Sequence, residues 1–163
     1  MKKLMVLAAC AILAGCDYTV PLAQTPQMEI DKAVVGLWER TKADGKTERL
    51  LVLPLSRHEY LVSFPANGND AMFARACRCS GAGQTLIQLE WIGTAQGKLP
   101  EENRVFQFAA YSVAGDTLRV RMLNSDVVKK DVKSAEALAR AIAESKDSPD
   151  LFRDEMTFSK VNL

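Results

Sequence analysis

The chain has 163 residues, with 21 Lys and Arg against 20 Asp and Glu, a single His and four Cys. That length suits one domain with a real hydrophobic core and leaves no room for a second large one. A net charge of +1 excludes a nucleic-acid binder driven by a basic excess, and equally an acidic disordered tail.

The first element in chain order is a leader. Met1-Lys2-Lys3 precede an apolar stretch over residues 4–13. That stretch is too short for the roughly 20 residues of a bilayer span and suits a secretory signal peptide over residues 1–15. Its ending, Leu13-Ala14-Gly15-Cys16, resembles the lipobox of bacterial lipoproteins. The resemblance implies that Cys16 is diacylated and becomes the new N-terminus, with Leu13, Ala14 and Gly15 as the recognition segment. An ordinary signal peptide with an accidental Cys is the alternative. Asp17, next to Cys16, resembles the signal that keeps enterobacterial lipoproteins in the inner membrane; a polar linker residue is its plainer reading. The expected address is therefore the bacterial cell envelope, lipid-anchored, with the domain facing the periplasm or the exterior. Losing Lys2 and Lys3 with the leader would leave 19 basic against 20 acidic residues, so attachment would rest on acyl chains rather than on charge. Residues 16–28 carry Pro21 and Pro26, little charge and no helical period. They read as the lipidated N-terminus and an extended tether, long enough to lift a domain about 40 Å.

Residues 29–163 read as a single β-rich domain. Strand-like runs cover residues 36–42, 48–55, 59–64, 71–79, 85–94, 104–113 and 116–123, separated by turn chemistry such as Asp44-Gly45 and Ala114-Gly115-Asp116. Residues 125–132 are a candidate short helix. Ser134 can N-cap a helix reaching about residue 146, with Leu138 and Ile142 on one apolar stripe and Glu136 favouring the dipole. Residues 156–161 form a last strand. Alternation puts Ile87, Leu89 and Trp91 on one face, then Phe106, Phe108 and Ala110, then Leu118, Val120 and Met122, then Met156 and Phe158. The expected fold is mainly β: an antiparallel meander of about eight strands closing into a barrel or strongly curved sheet, with one helix before the last strand.

Gly36-Leu37-Trp38, opening the first strand, resembles the Gly-x-Trp motif of lipocalin-like barrels, and the late helix is similar too. The resemblance implies that Gly36 and Trp38 form a plug at a closed end, beneath a basic side chain for which Arg119, Arg121 and Arg153 are candidates. The chain departs from that pattern in lacking a Thr-Asp-Tyr motif between later strands. A core aromatic at a strand start is the plainer reading of Trp38.

No catalytic constellation emerges. His58 sits beside a turn with no Ser or Cys motif around it, and no phosphate loop, dinucleotide fingerprint or zinc-protease motif occurs. The expectation is a non-enzymatic protein with no cofactor and no metal. Cys77-Arg78-Cys79 is the unusual local feature: residues i and i+2 of a strand lie at the upper limit for a bridge, so either a strained disulfide or a buried thiol pair is expected. Two functions remain open: a barrel holding a small apolar ligand, or a module docking on another envelope protein. Leu50, Val52 and Leu51, Leu53 are apolar on both faces of one strand, which hints at a partner, a dimer or a covering helix.

Overall fold

A computed structural model describes residues 18–100 and 103–162; Leu13, Ala14, Gly15, Cys16 and Asp17 lie outside the described residues. Eight antiparallel strands close into a barrel in strict chain order: β1 (Gly36–Thr41), β2 (Thr47–Pro54), β3 (Glu59–Phe64), β4 (Met72–Gly81), β5 (Gln84–Thr94), β6 (Phe106–Ala114), β7 (Thr117–Leu123) and β8 (Phe152–Lys160). Helix α1 (Ala135–Glu144) lies between β7 and β8. The closing seam is short, with Trp38 opposite Lys160 and Glu39 opposite Ser159.

The strands form where the alternation of side chains lets one face meet the interior. Inward on successive strands point Trp38, Leu50 and Val52, Tyr60 and Val62, Ala74 and Ala76, Trp91, Leu118 and Phe158, which make one contiguous inner core. A 3-10 turn over Lys32–Val34, capped by the Asp31 side chain accepting from Ala33 N, crosses one end. Its Val34 is buried, and the Trp38 indole donates to Val34 O at 2.8 Å. We call this the plugged end. The opposite end carries the connections at residues 42–46 and 65–71, the β5–β6 loop and the segment leading to α1.

A second core lies outside the wall. Ser134 caps α1 by accepting from Ala137 N at 3.1 Å, and the fully buried Leu138 and Ile142 pack with Tyr18, Phe108, Leu123, Val128 and Leu151. This corrects the expected facing of β6. Phe106, Phe108 and Ala110 point outward beneath α1 and the N-terminal arm, whereas Gln107, Ala109 and Tyr111 line the interior. Both faces of this strand are covered, so hydrophobicity alone does not select the inner one.

Three further expectations are corrected. Residues 125–132 form turns rather than a helix, and β8 begins at Phe152, four residues earlier than expected. Residues 18–23 are not a free tether. Tyr18 is 1% exposed, exchanges two main-chain hydrogen bonds with Phe106, donates its hydroxyl to Val128 O at 2.7 Å and meets the Phe108 ring edge-on. Leu22 N and Ala23 N both donate to Gln88 Oε1, at 2.7 and 2.9 Å, and Gln88 Nε2 donates back to Ala23 O at 3.0 Å. From there the chain straps the outer wall to reach the plugged end at Ile30, whose N–H bonds Arg57 O. No helix among the described residues is long and apolar enough to cross a membrane.

Candidate functional site

The barrel interior holds a cavity of about 230 Å³, open to the outside. Leu50, Ile87, Leu89, Val120 and Met156 point into it yet are only partly buried, because none of the described residues fills the space against them. Its walls are almost wholly hydrocarbon and aromatic. A hydrocarbon-walled space of that kind favours an apolar occupant, since water against those walls finds few hydrogen-bond partners.

The polar groups at the cavity's edges are mostly engaged with one another. Near the opposite end, the Trp91 indole donates to Gln107 Oε1 at 2.8 Å, which explains how an amide can stand among hydrophobes. At the plugged end, Asp31 N donates to the Tyr60 hydroxyl at 2.5 Å, and the Tyr111 hydroxyl donates to Asp31 Oδ2 at 3.3 Å. Burial pushes the Tyr111 phenol up to about 12, with the neighbouring Asp31 carboxylate adding to the effect and Arg78 opposing it. Burial likewise raises Tyr60. These bonds fasten the 3-10 turn across the floor. Arg78 contributes from β4, its Nη1 donating to Glu29 O at 2.9 Å, while its buried Nε has no hydrogen-bond partner among the described residues.

Toward the opposite end stands an ion pair. Arg40 Nε and Nη2 donate to Glu48 Oε2 at 2.8 and 2.6 Å, and Lys42 Nζ approaches Oε1 at 3.5 Å. The Arg40 guanidinium also lies 5.8 and 5.4 Å from the Phe64 and Phe158 ring centroids. Arg40 therefore lies over two rings that line the cavity, with Glu48 and Lys42 grouped around it outside the lining.

The expected plug motif has a defined geometry here. Trp38 is fully buried at the plugged end, and Gly36 has φ +135°, where a side chain would be strained and a Cβ would stand 3.3 Å from Lys160 Cε. The basic group over the indole is Lys160, its Nζ 5.1 Å from the ring centroid. The Arg candidates lie elsewhere. Arg119 is exposed, Arg121 covers Phe152 on the outer wall, and Arg153 pairs with Asp126 and Asp154. Lys160 was legible only as a basic residue near the end of the last strand.

Cys77 and Cys79 are free and buried, on the outward face of β4 and away from the cavity. Cys79 lies with Leu86 and Ala110 under Leu22, Ala23 and Phe152. Burial pushes the Cys77 thiol up to about 11 and Cys79 to about 12, so both stay protonated and unreactive near neutral pH. His58 sits in the β2–β3 turn, its N–H bonded to Ser56 Oγ at 3.2 Å. No group of three or more metal-ligating side chains occurs among the described residues.

No protein-family model matches this chain, and no curated protein is similar to it at a significant level.

Proposed function

We propose that this chain is a lipid-anchored protein of the bacterial cell envelope that holds a small apolar molecule inside its barrel and acts by binding rather than by catalysis. The observation that supports binding is the cavity itself, in which Leu50, Ile87, Leu89, Val120 and Met156 face unfilled space. A barrel evolved only as a scaffold gains stability by filling such space, since each buried methylene contributes about 0.8 kcal/mol. The paired polar groups argue the same way. The side chains of Trp91, Gln107, Tyr111, Asp31, Arg40 and Glu48 spend hydrogen bonds on each other, which suits a fixed wall better than a reacting centre. The anchor rests on the lipobox resemblance at Leu13–Cys16, and Asp17 inclines the address toward the inner membrane.

The test is saturation of the full-length protein with 1-N-phenylnaphthylamine, together with native mass spectrometry of the detergent-extracted chain. A saturable, one-to-one rise in probe emission, displaced by a retained native mass, supports the reading; a linear, unsaturable response overturns it. Acyl labelling of the wild type and of Cys16→Ser tests the anchor separately.

A second reading, an interaction module, has one observation in its favour. Leu53 and Leu55 on and after β2 are 40% and 50% exposed, beside the partly exposed Leu51 and Leu61. That outer apolar strip is a candidate contact for another envelope protein.

A further inference from the structure

We propose that the barrel sits directly against the lipid bilayer, with the end opposite the plug facing the membrane and Leu99 and Ile92 meeting its surface. The inference rests on the Cys16 anchor proposed above and adds to it an orientation that the arm imposes. Tyr18 is held at the start of β6 by two main-chain bonds to Phe106, a hydroxyl bond to Val128 O and an edge contact with Phe108. Two peptide units separate it from Cys16, a span of at most about 7 Å. A diacylated Cys16 would therefore bring the bilayer surface to within that distance of the Phe106 end of the wall. The free tether that would lift the domain about 40 Å is used up in strapping the barrel.

Among the described residues the exposed large hydrophobics divide between the two ends. Leu99 (75% exposed) and Ile92 (42%) lie at the end where β5 leaves for β6, the end that also holds Tyr18. Leu99 Cδ2 stands near Gly93, and the tight turn before it is fixed by Thr94 N bonding Lys98 O at 2.9 Å. Leu53 and Leu55 lie at the plugged end, roughly 25–30 Å of strand away. Chain length selects between them: a lipid on Cys16 reaches the first pair and not the second. Leu99, the most exposed large hydrophobic of the two pairs, thus acquires a solvent in which its exposure is favourable, and the unplugged end of the cavity is turned toward the phase in which apolar molecules dissolve.

The experiment places one added tryptophan at each end of the full-length lipidated protein, Leu99→Trp and Ser56→Trp. Each is reconstituted in phosphatidylethanolamine–phosphatidylglycerol vesicles with or without brominated acyl chains, and the emission of the unsubstituted protein is subtracted. The expected result is that the emission added at position 99 is shifted to the blue and more than halved by bromine, while that at position 56 is unchanged. If the protein floats with the vesicles but position 99 is unquenched, or position 56 is quenched as strongly, the apposition is overturned and the anchor stands. If the protein fails to float, or Cys16→Ser floats equally well, the anchor fails and the orientation falls with it.

Discussion

Lys160 holds its ammonium 5.1 Å from the centroid of the Trp38 ring, and the two residues are also opposite each other in the register that joins β8 to β1. The barrel's seam and its plug are therefore the same contact. Among the described residues that seam is short, two register pairs extended by Val161 N donating to Leu37 O at 2.9 Å, so side-chain packing adds much of its strength. Trp38→Ala empties a fully buried site and should cost about 3–5 kcal/mol. Lys160→Ala, which removes a cation from the indole face, should cost about 0.5–2 kcal/mol. Urea titrations of both variants and of the double variant check this; strict additivity would mean that the two side chains do not communicate.

The cavity makes a prediction of opposite sign for a larger side chain. Enlarging a residue in a full core costs about 1–3 kcal/mol. Leu89→Trp places its added rings in open space between Ile87, Val120 and Met156, so its midpoint in urea should move little. The affinity for 1-N-phenylnaphthylamine should fall at least about tenfold, which is about 1.4 kcal/mol. Equal probe binding by the variant and the wild type would place the probe outside the barrel.

The two buried thiols and the floor tyrosines tie stability to alkaline pH. An acid whose folded pKa is raised keeps its proton longer when folded. Its stabilising contribution is thus complete below the unfolded pKa and is lost as pH climbs through the folded one. For Cys77 and Cys79 the ordinary value is 9.0 and the folded values are about 11 and about 12, so the loss begins above pH 9. Tyr111, moved from 10.0 to about 12, extends the same trend. Urea midpoints measured from pH 8 to 11 should fall for the wild type and fall less steeply for the Cys77→Ala, Cys79→Ala double variant. A double variant with an unaltered slope would remove the thiols from this account.

How much of this architecture the sequence carries depends on what covers each face. The eight strands and the capped helix were readable, because turn chemistry and the Ser134 cap are local signals. The inward faces of β5, β7 and β8 were readable too: Glu90, Arg119 and Arg121 mark the solvent side of β5 and β7, and Met156 and Phe158 stand out on β8. On β6 the reading inverts, because Phe106 and Phe108 meet α1 and Tyr18 rather than the interior, and Gln107 is satisfied inside by the Trp91 indole. A helix arriving from residues 135–144 leaves no trace in the strand it covers. The arm was missed for a different reason. Its prolines and low charge are those of a linker, yet Tyr18, Val20 and Leu22 recur every second residue, and all three pack on the outer core. That period-two signal was present but short. The cavity itself is a matter of what does not touch, and residue types that fill a barrel are the same types that line an empty one.

The arm's hold on the wall depends on Gln88, a polar residue only 6% exposed on the outer face of β5. Its amide satisfies the N–H groups of Leu22 and Ala23 and the carbonyl of Ala23, while Nε2 also approaches Cys77 Sγ at 3.7 Å. Gln88→Ala strands those backbone groups beneath the arm, and each unsatisfied buried group costs about 1–3 kcal/mol. The arm has an alternative that a core strand lacks: it can peel away and let water solvate its backbone. The loss of global stability should therefore stop near the cost of one such group, about 1–3 kcal/mol, while local opening becomes much more frequent. Leu22 and Ala23 shield Cys79, so thiol reaction with a disulfide reagent reports that opening directly. In native buffer near pH 8 the wild-type thiols should react slowly, and those of Gln88→Ala much faster, with the urea midpoint only modestly lowered. Equal thiol rates at a lowered midpoint would mean that Gln88 supports the whole barrel and does not act as the clasp of the arm.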